Sequence, residues 1–543
     1  MSAPEPGRPM KWWGWGDPEV RTPLPEHALA VLRDELGPGE PSPRVELDEV
    51  ALPEPHPLPA AVAAAAGEPG ALTSHEQRVR RAAGKGYADL IRMRAGRPEG
   101  APDAVLLPSS AEQAAAIVRA CSEEGVAVVP FGGGTSVVGG VAPVAGPHRA
   151  VVALDLRRLR RCEVDRRSLT AALGPGLRGP EAEAALAAQG LTLGHFPQSF
   201  EYATIGGFAA TRSAGQASCG YGRFDELVTA LELVTPVGPL RTLATPHTAA
   251  GPSLREVALG SEGILGVITD VTVRVRPAPE ARRYEGWMAP DFETGCEAVR
   301  ALAQAGALPD VTRVSDEEET RVNLMLAGDG AALKLLGAYL RVRGVAEGAM
   351  LILGWEGTQE DVERRRTLAA RTLRAHGVVA LGGAPGRAWE HGRFRGPYLR
   401  DELLDHGYLV ETLETAHTWS RYHELYGAVR DALTAALRDG GTPPIVFCHL
   451  SHAYRDGASL YFTFLARARP GAELEQWVAA KRAASEAITA AGGTITHHHA
   501  IGRDHAPYMD AEVGAVGLEA LRALKERLDP AGVMNPGKLL PAG

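Results

Sequence analysis

The sequence predicts an α+β protein with two main domains. Strand-like and helix-like segments alternate from Pro102 to about Pro277. From about 279 to 510 longer helices interleave with apolar strands. Three glycine clusters sit inside the first of these stretches. A chain of 543 residues has room for two to four domains, at roughly 150 residues each. The expected boundaries are an N-terminal extension with a helical segment over 1–97, a first domain over 98–278, a second over 279–510, and a C-terminal helix and tail over 511–543 that returns to the first domain.

The extension opens on Lys11-Trp12-Trp13-Gly14-Trp15-Gly16. Exposed tryptophans on a mobile tail would be a liability, so this stretch is expected to dock on the main body as an aromatic plug. Proline and acidic residues dominate 37–58, as in a linker, and helical signals follow around Glu76–Leu90. In the first domain Ala104–Leu107 reads as a strand. Ser110–Glu124 reads as an amphipathic helix, with Ser109 and Ser110 as caps and Glu112 near the capping-box position. Strands are expected at Val126–Pro130, Ala150–Leu154 and Leu169–Leu173, then a helix over Glu181–Gln189. In the second domain the helices are Ala332–Arg341, Thr358–Ala375 and Trp419–Arg438, and the strands Met350–Trp355, Pro444–His449 and Ser459–Phe464. Val516–Leu528 has helical spacing, stops at Asp529-Pro530, and is followed by the turn Asn535–Lys538.

The composition is ordinary for a globular protein, 45% hydrophobic and 23% charged. Net charge is −9 and no long basic run stands out, which argues against nucleic acid as the main partner. The five cysteines are scattered with no CxxC, which fits a reducing compartment better than a disulfide framework or a zinc site. The leading residues have no apolar segment of signal-peptide type. The early apolar stretch Leu58–Ala66 is too short to span a bilayer. The final residues carry no recognisable address. A cytoplasmic location is the expectation.

The informative stretch is Pro130–Gly140, PFGGGTSVVGG, directly after the strand Val126–Val129. Three consecutive glycines let backbone N–H groups approach a ligand closely. Successive N–H groups form an anion-binding concavity suited to a pyrophosphate. The loop lacks the GK[ST] ending of a triphosphate-binding loop. Gly174–Gly179 is a formal GxGxxG, but Pro175 and Pro180 stiffen it and no ribose-binding acid follows, so it reads as a helix-entry turn. Two further small-residue clusters, Thr204–Gly215 and Gly260–Ile268, flank strands. Three such clusters within one domain imply a long ligand held over its length, and a dinucleotide or flavin dinucleotide fits.

In the second half the sharpest polar signal is Thr496-His497-His498-His499-Ala500-Ile501-Gly502. If this run is extended, His497 and His499 share one face and His498 takes the other. Metal binding is one reading, but no Asp, Glu or Cys lies at ligand spacing, although His505 is close. Acid–base and anion-binding work is a second, and a packing run a third. Tyr461 sits in an aromatic strand, where core filling is the default. Arg313 and Arg400 lie in partly apolar settings. Surface ion pairs are the common fate of arginine, and bidentate carboxylate or phosphate recognition is the alternative.

Taken together, KWWGWG at 11–16, PFGGGTS at 130–136, QSFEYATIGG at 198–207, TRSAG at 211–215, EGILGVI at 262–268, TRVSD at 312–316, YLRD at 398–401, the tyrosine strand and HHHAIG at 497–502 resemble the flavoproteins of the vanillyl-alcohol-oxidase type. Within that group the chain is most similar to the alkylglycerone-phosphate synthases, along nearly its whole length. The glycine clusters are shared by many flavin oxidases; the tryptophan leader and triple histidine point to the synthases. The resemblance implies a PCMH-type FAD-binding domain of two subdomains and an α+β cap domain with a central antiparallel sheet.

It also implies roles. Pro130, Phe131, Gly132, Gly133, Gly134, Thr135 and Ser136 would hold the FAD pyrophosphate. Gln198, Ser199, Thr204, Gly206, Gly207, Thr211, Arg212, Ser213, Ala214, Glu262, Gly263, Gly266, Val267 and Ile268 would line the rest of the cofactor. Arg400 would bind the substrate phosphate and Tyr461 would act as acid/base beside the flavin. His497, His498 and His499 would serve proton transfer and phosphate placement, and Arg313 would steady a departing carboxylate. No metal is expected. The implied reaction exchanges the acyl group of acyl-dihydroxyacetone phosphate for a long-chain alcohol, with the flavin as a covalent trap and no net redox change. The partners are therefore a lipid phosphate and a fatty alcohol, with a homodimer and peripheral membrane contact implied by the resemblance. No residue stands out as a covalent tether: Thr135 stands where some relatives carry histidine, so FAD is expected to be noncovalent. Phe196, Gln198 and Phe208 depart from the synthase pattern along the flavin path. No peroxisomal segment is visible.

The rival reading is an FAD-linked oxidase or dehydrogenase of a 2-hydroxy acid such as lactate or glycolate, which would also use His and Arg on a carboxylate. A non-catalytic flavin-binding protein is the second. The set Arg400, Tyr461, triple histidine and tryptophan leader separates the synthase from the first, and the polar groups that converge in the second domain argue against the second.

Overall fold

The computed structural model describes residues 9–541 except 42, 43 and 329. The terminal residues beyond these, part of the targeting reading, lie outside the described residues.

The first large stretch builds two main sheets, besides a small antiparallel pair of Leu191–Thr192 with Arg276–Pro277. Ala104–Leu106, Ala150–Asp155 and Val126–Phe131 form a parallel three-stranded sheet in that spatial order. Its central strand AVVALD is buried throughout, which explains a continuous apolar run rather than alternation. The helix Ala111–Glu124 covers it with Ile117, Val118 and Cys121. The Ser110 hydroxyl caps that helix by accepting Gln113 N–H, and Gly125 ends it in the left-handed region at φ 65°. Gln113, one position beyond Glu112, supplies the reciprocal side chain, accepting the N–H and hydroxyl of Ser109. Five antiparallel strands form the second sheet, in the order Cys162–Asp165, Thr170–Leu173, Val267–Arg274, Val228–Thr235, Gly238–Arg241.

The third sheet has seven antiparallel strands, in the order Val379–Gly382, Ala281–Ala289, Ala349–Gly357, Val311–Ser315, Ile445–Ala453, Gly457–Arg467, Tyr408–Thr418. Helices Phe292–Gln304, Gln359–Ala375, Tyr422–Asp439 and Glu473–Ala490 contribute apolar side chains to its core. The opposite face is left for a cavity. On the central strands Phe447, His449 and Ser451 alternate onto that face, as do Tyr461, Thr463 and Leu465.

The tail returns to the parallel sheet: Val128 N–H donates to Val533 and Asn535 N–H to Val128. The preceding helix begins at Met509, earlier than its spacing suggested, because a kink at Gly514 (φ 70°) joins two helical pieces. The tryptophan leader docks as expected. Trp12 and Trp15 are buried, and Asp401 accepts Trp15 N–H at 2.8 Å and lies 3.4 Å from Lys11 Nζ.

Candidate active site

One cavity of about 520 Å³ runs between the glycine clusters and the open face of the seven-stranded sheet. Its size is that of a small-molecule site. The parallel sheet delivers the glycine loop to it. Among the described residues, the N–H groups of Gly132 to Ser136 donate to no protein acceptor, so a row of unspent donors is left at the end of Val126–Phe131. The tightness of the loop is enforced: a Cβ on Gly133 would meet the Tyr202 carbonyl oxygen at 2.0 Å. Gly134 sits at φ +67°. Across the cavity, Thr204 opens the short helix Ile205–Ala210 and accepts Gly207 N–H. Gly206, Gly207, Thr211, Ser213, Ala214, Gly263, Gly266 and Ile268 line the same wall, with Gln198 and Ser199 beside them.

Two residues expected on the cofactor path do not line the cavity. Arg212 turns outward, donating to the Glu256 and Leu259 carbonyls and pairing with Asp225. Val267 is fully buried where its strand begins. Glu262 reaches the cavity, and its carboxylate accepts the N–H groups of Ile501 and Gly502, both at 2.7 Å. Burial raises its pKa to about 7 against those two bonds. The GxGxxG stretch stays clear of the cavity. Gly174 and Gly176 lie against the backbone of Leu159 and Leu156, as a turn residue would.

The sheet supplies the reactive groups through its register. Ser315 pairs with His449, His449 with Tyr461, and Tyr461 with Glu414, so one row crosses four strands with side chains on a common face. The His449 and Tyr461 rings stack at 4.9 Å, and the His498 ring stacks on Tyr461 at 6.1 Å. Burial raises the Tyr461 pKa to about 12.

Glu414 holds the histidine run. Its carboxylate accepts the N–H groups of His497, His498 and His499 at 2.5, 2.8 and 2.7 Å, and the Thr496 hydroxyl at 2.6 Å. Three successive N–H groups converging on one carboxylate bend the run, so the alternation expected of an extended segment does not occur. His498 and His499 face the cavity, while His497 turns behind them to hydrogen-bond Tyr454 through Nε2 at 2.7 Å. Burial opposes charge on Glu414, but the hydroxyl and N–H groups that donate to it favour the carboxylate, and its pKa lies well below the ordinary value. Burial lowers the pKa of His497 and His499 to about 3, and that of His498 in the same direction, so all three rings are neutral at pH 7.

Besides Glu414, three groups were not found from the sequence. His452 enters because the Ile445–Ala453 strand shifts register after Leu450. One nitrogen each from His452, His497 and His498 lies within 4.8 Å of the others, close enough to hold a metal ion. His449 and Glu319 join Arg313: Glu319 Oε1 accepts Arg313 Nη2 at 2.6 Å and His449 Nδ1 at 3.0 Å. The spacing His449-x-x-His452 was the available signal, read only as the end of a strand. Arg400 lines the cavity with Nη1 donating to the Lys85 carbonyl at 2.7 Å, and its Nε is buried with no protein acceptor among the described residues.

Such a site, a donor-lined glycine cradle facing a stacked Tyr/His cluster with two arginines, defines an FAD-binding flavoprotein. Residues 102–244 match the family model described as FAD binding domain, and 278–539 the one described as FAD linked oxidases, C-terminal domain. The chain is 32% identical to the alkyldihydroxyacetonephosphate synthase of Dictyostelium discoideum, over 98% of this chain and 93% of that one. It is 34% identical to that of Trypanosoma brucei brucei, over 84% and 76%. A solved alkyldihydroxyacetonephosphate synthase superimposes with a TM-score of 0.85 at 29% identity, covering 97% of this chain and 98% of that one. This chain belongs to the alkyldihydroxyacetonephosphate synthase family. Its cofactor is FAD, and the free N–H row at Gly132–Ser136 fits the cofactor's anionic portion.

Proposed function

We propose that the protein is an FAD-dependent alkylglycerone-phosphate synthase, exchanging the acyl group of acyl-dihydroxyacetone phosphate for a long-chain alcohol without net redox change. The observation that carries this reading is that one cavity joins the polar cluster to an apolar arm. Arg400, Arg313, Tyr461, His498 and His499 share it with Leu24, Leu32, Val322, Met325, Leu326, Phe447 and Leu465. A small hydroxy acid has no use for that arm, whereas a fatty chain needs it.

Bound noncovalently, FAD would supply an electrophilic centre that holds the substrate carbon through the exchange. The chain's own residues do the rest. Gly132–Ser136 present backbone N–H groups to the cofactor pyrophosphate, and the other glycine-cluster residues that line the cavity hold its remainder. Arg400 offers its unspent Nε–H to the substrate phosphate. Tyr461 takes the C1 proton as its own phenolic proton passes to the neutral histidine cluster, and returns a proton to that carbon at the end. Neutral His498 and His499, fixed by Glu414, relay protons rather than hold a metal, with His497 bracing them from behind. Arg313 meets the leaving carboxylate while sharing Glu319.

Among the described residues no helix is long and apolar enough to cross a membrane. Peripheral contact is supported by Leu335, Tyr339 and Val342, exposed on the helix Ala331–Arg343 beside Arg341 and Arg343. A homodimer follows the family reading, and light scattering tests it.

The deciding experiment mixes the yellow protein anaerobically with palmitoyl-dihydroxyacetone phosphate, and separately with D-lactate and glycolate. The expected result is bleaching by the ester, fatty acid release, and ether product once hexadecanol is added. Reduction by a hydroxy acid with silence toward the ester would move the protein to the oxidase class.

A further inference from the structure

Glu319 and His449 form a carboxylate–imidazole pair that the roles above leave unused. Asp316 builds it. Its Oδ1 caps the helix Glu317–Leu326 through Glu319 N–H at 2.7 Å, and its Oδ2 accepts Cys448 N–H at 2.8 Å, tying that helix to the His449 strand. Arg313 holds the Glu319 pKa down to about 2 although burial alone would raise it, so the carboxylate can only accept. His449 Nδ1 lies 3.0 Å from both Glu319 Oε1 and Arg313 Nη2. Arg313 Nη2 is already spent on Glu319 at the shorter 2.6 Å, so we take the Nδ1 hydrogen to be the one donated to the ionised Glu319 Oε1. That leaves the Nε2 lone pair unused by any protein donor among the described residues, on a ring that lines the cavity. A carboxylate-fixed tautomer with a free basic nitrogen is the arrangement of a general base.

Its place in the cavity indicates what it meets. Val322 and Leu326 lie three and seven residues beyond Glu319 on one helix face, and Phe447 lies two residues before His449 on one strand face. The apolar arm thus begins at this pair. A chain lying in that arm would bring its terminal hydroxyl to His449, whose ring stacks on Tyr461 at 4.9 Å, with the His499 ring edge-on to Tyr461 at 5.5 Å.

Resting on the synthase reading, we propose that His449 is the catalytic base for the incoming alcohol, with Glu319 as its positioning residue. The alcohol O–H bond breaks and its proton passes to His449 Nε2. The oxygen electron pair forms the new ether bond to C1 of dihydroxyacetone phosphate. The carboxylate has left that carbon with its own C–O pair, and the proton finally leaves with the fatty acid product or to water.

The test uses the flavin-loaded enzyme and three readouts: fatty acid release, exchange of C1 hydrogen, and ether formation from hexadecanol. His449→Asn is expected to keep release and exchange within about threefold and to lose ether formation by about 100-fold, the scale of a general base. A β-fluorinated hexadecanol, whose hydroxyl is more acidic, should recover part of that loss. Glu319→Gln should show the same partition more weakly. Equal loss of all three readouts, no loss of ether formation, or no recovery with the fluorinated alcohol overturns the proposal. So does a normal partition in Glu319→Gln if His449→Asn fails to retain flavin. Failure of the unmutated enzyme to make ether sinks the synthase reading itself, a distinct outcome.

Discussion

Glu414 Oε1 accepts the backbone N–H of His499 at 2.7 Å, although the two lie 85 positions apart. The same carboxylate accepts the N–H of His497 and His498, so one buried acid sets the shape of the histidine run. Glu414→Gln keeps the volume but turns an amide N–H₂ toward backbone donors. It should cost about 2–3 kcal/mol of stability, as expected for bonds to a charged acceptor. It should lower ether formation by about 100-fold, since small misplacement of reacting groups is enough. Urea unfolding and steady-state turnover of flavin-loaded protein check both. Unchanged turnover would remove Glu414 from any positioning role.

Gly133 has no room for a side chain, because its Cβ would press on the Tyr202 carbonyl at 2.0 Å. Backbone meets backbone there, so the loop must shift. Gly133→Ala should fold but lose most of its flavin, read as visible absorbance per protein. For the wild type, acid precipitation should release all of the yellow colour, as noncovalent FAD requires. Colour left on the pellet would disprove that expectation.

Arg400 and Asp401 divide two tasks between neighbours. Arg400→Lys should raise the KM for the phosphate substrate by about 10–100-fold with flavin content unchanged, because an ammonium cannot replace a guanidinium fork. Asp401→Ala removes the carboxylate beside buried Lys11 and the acceptor for Trp15 N–H, and should cost about 3–5 kcal/mol. Thermal unfolding and substrate titration tell the two effects apart.

The pH dependence of stability has a definite sign. Burial holds His497 near a pKa of about 3 in the fold, against 6.5 for an unperturbed histidine. Between those values the unfolded chain binds the proton and the folded chain does not, so stability falls as pH drops through that window. The slope is about 1.4 kcal/mol per pH unit for one group. His497→Gln should flatten the dependence of the urea midpoint between pH 6 and 4 by about that amount. An unchanged slope would mean that the ring is already charged in the fold.

The glycine loop was legible because its chemistry is local. Three glycines after an apolar strand state both the conformation and the free donors, and neither depends on distant residues. Helix limits were legible where caps stand beside them, as at Ser110 and Thr358. The Trp leader was readable as buried because aromatic area must be covered. The orientation of Arg212 was not, since its partners Asp225 and Glu256 come from separate segments. His497 also defied its spacing, because an acid from another strand bends the run.

Short windows of sequence carried the α+β class, the glycine cradle and the histidine run, through periodicity, backbone freedom and side-chain chemistry; the roles of Tyr461, Arg313 and Arg400 came only from resemblance to a known family. Tertiary structure alone decided which of those residues meet. Ser315, His449, Tyr461 and Glu414 fall in one row because the strands pair in one register. A slip of one residue would turn each side chain to the opposite face. Register is set by burial of the sheet's far side against its helices, a property of the whole domain that no single segment encodes.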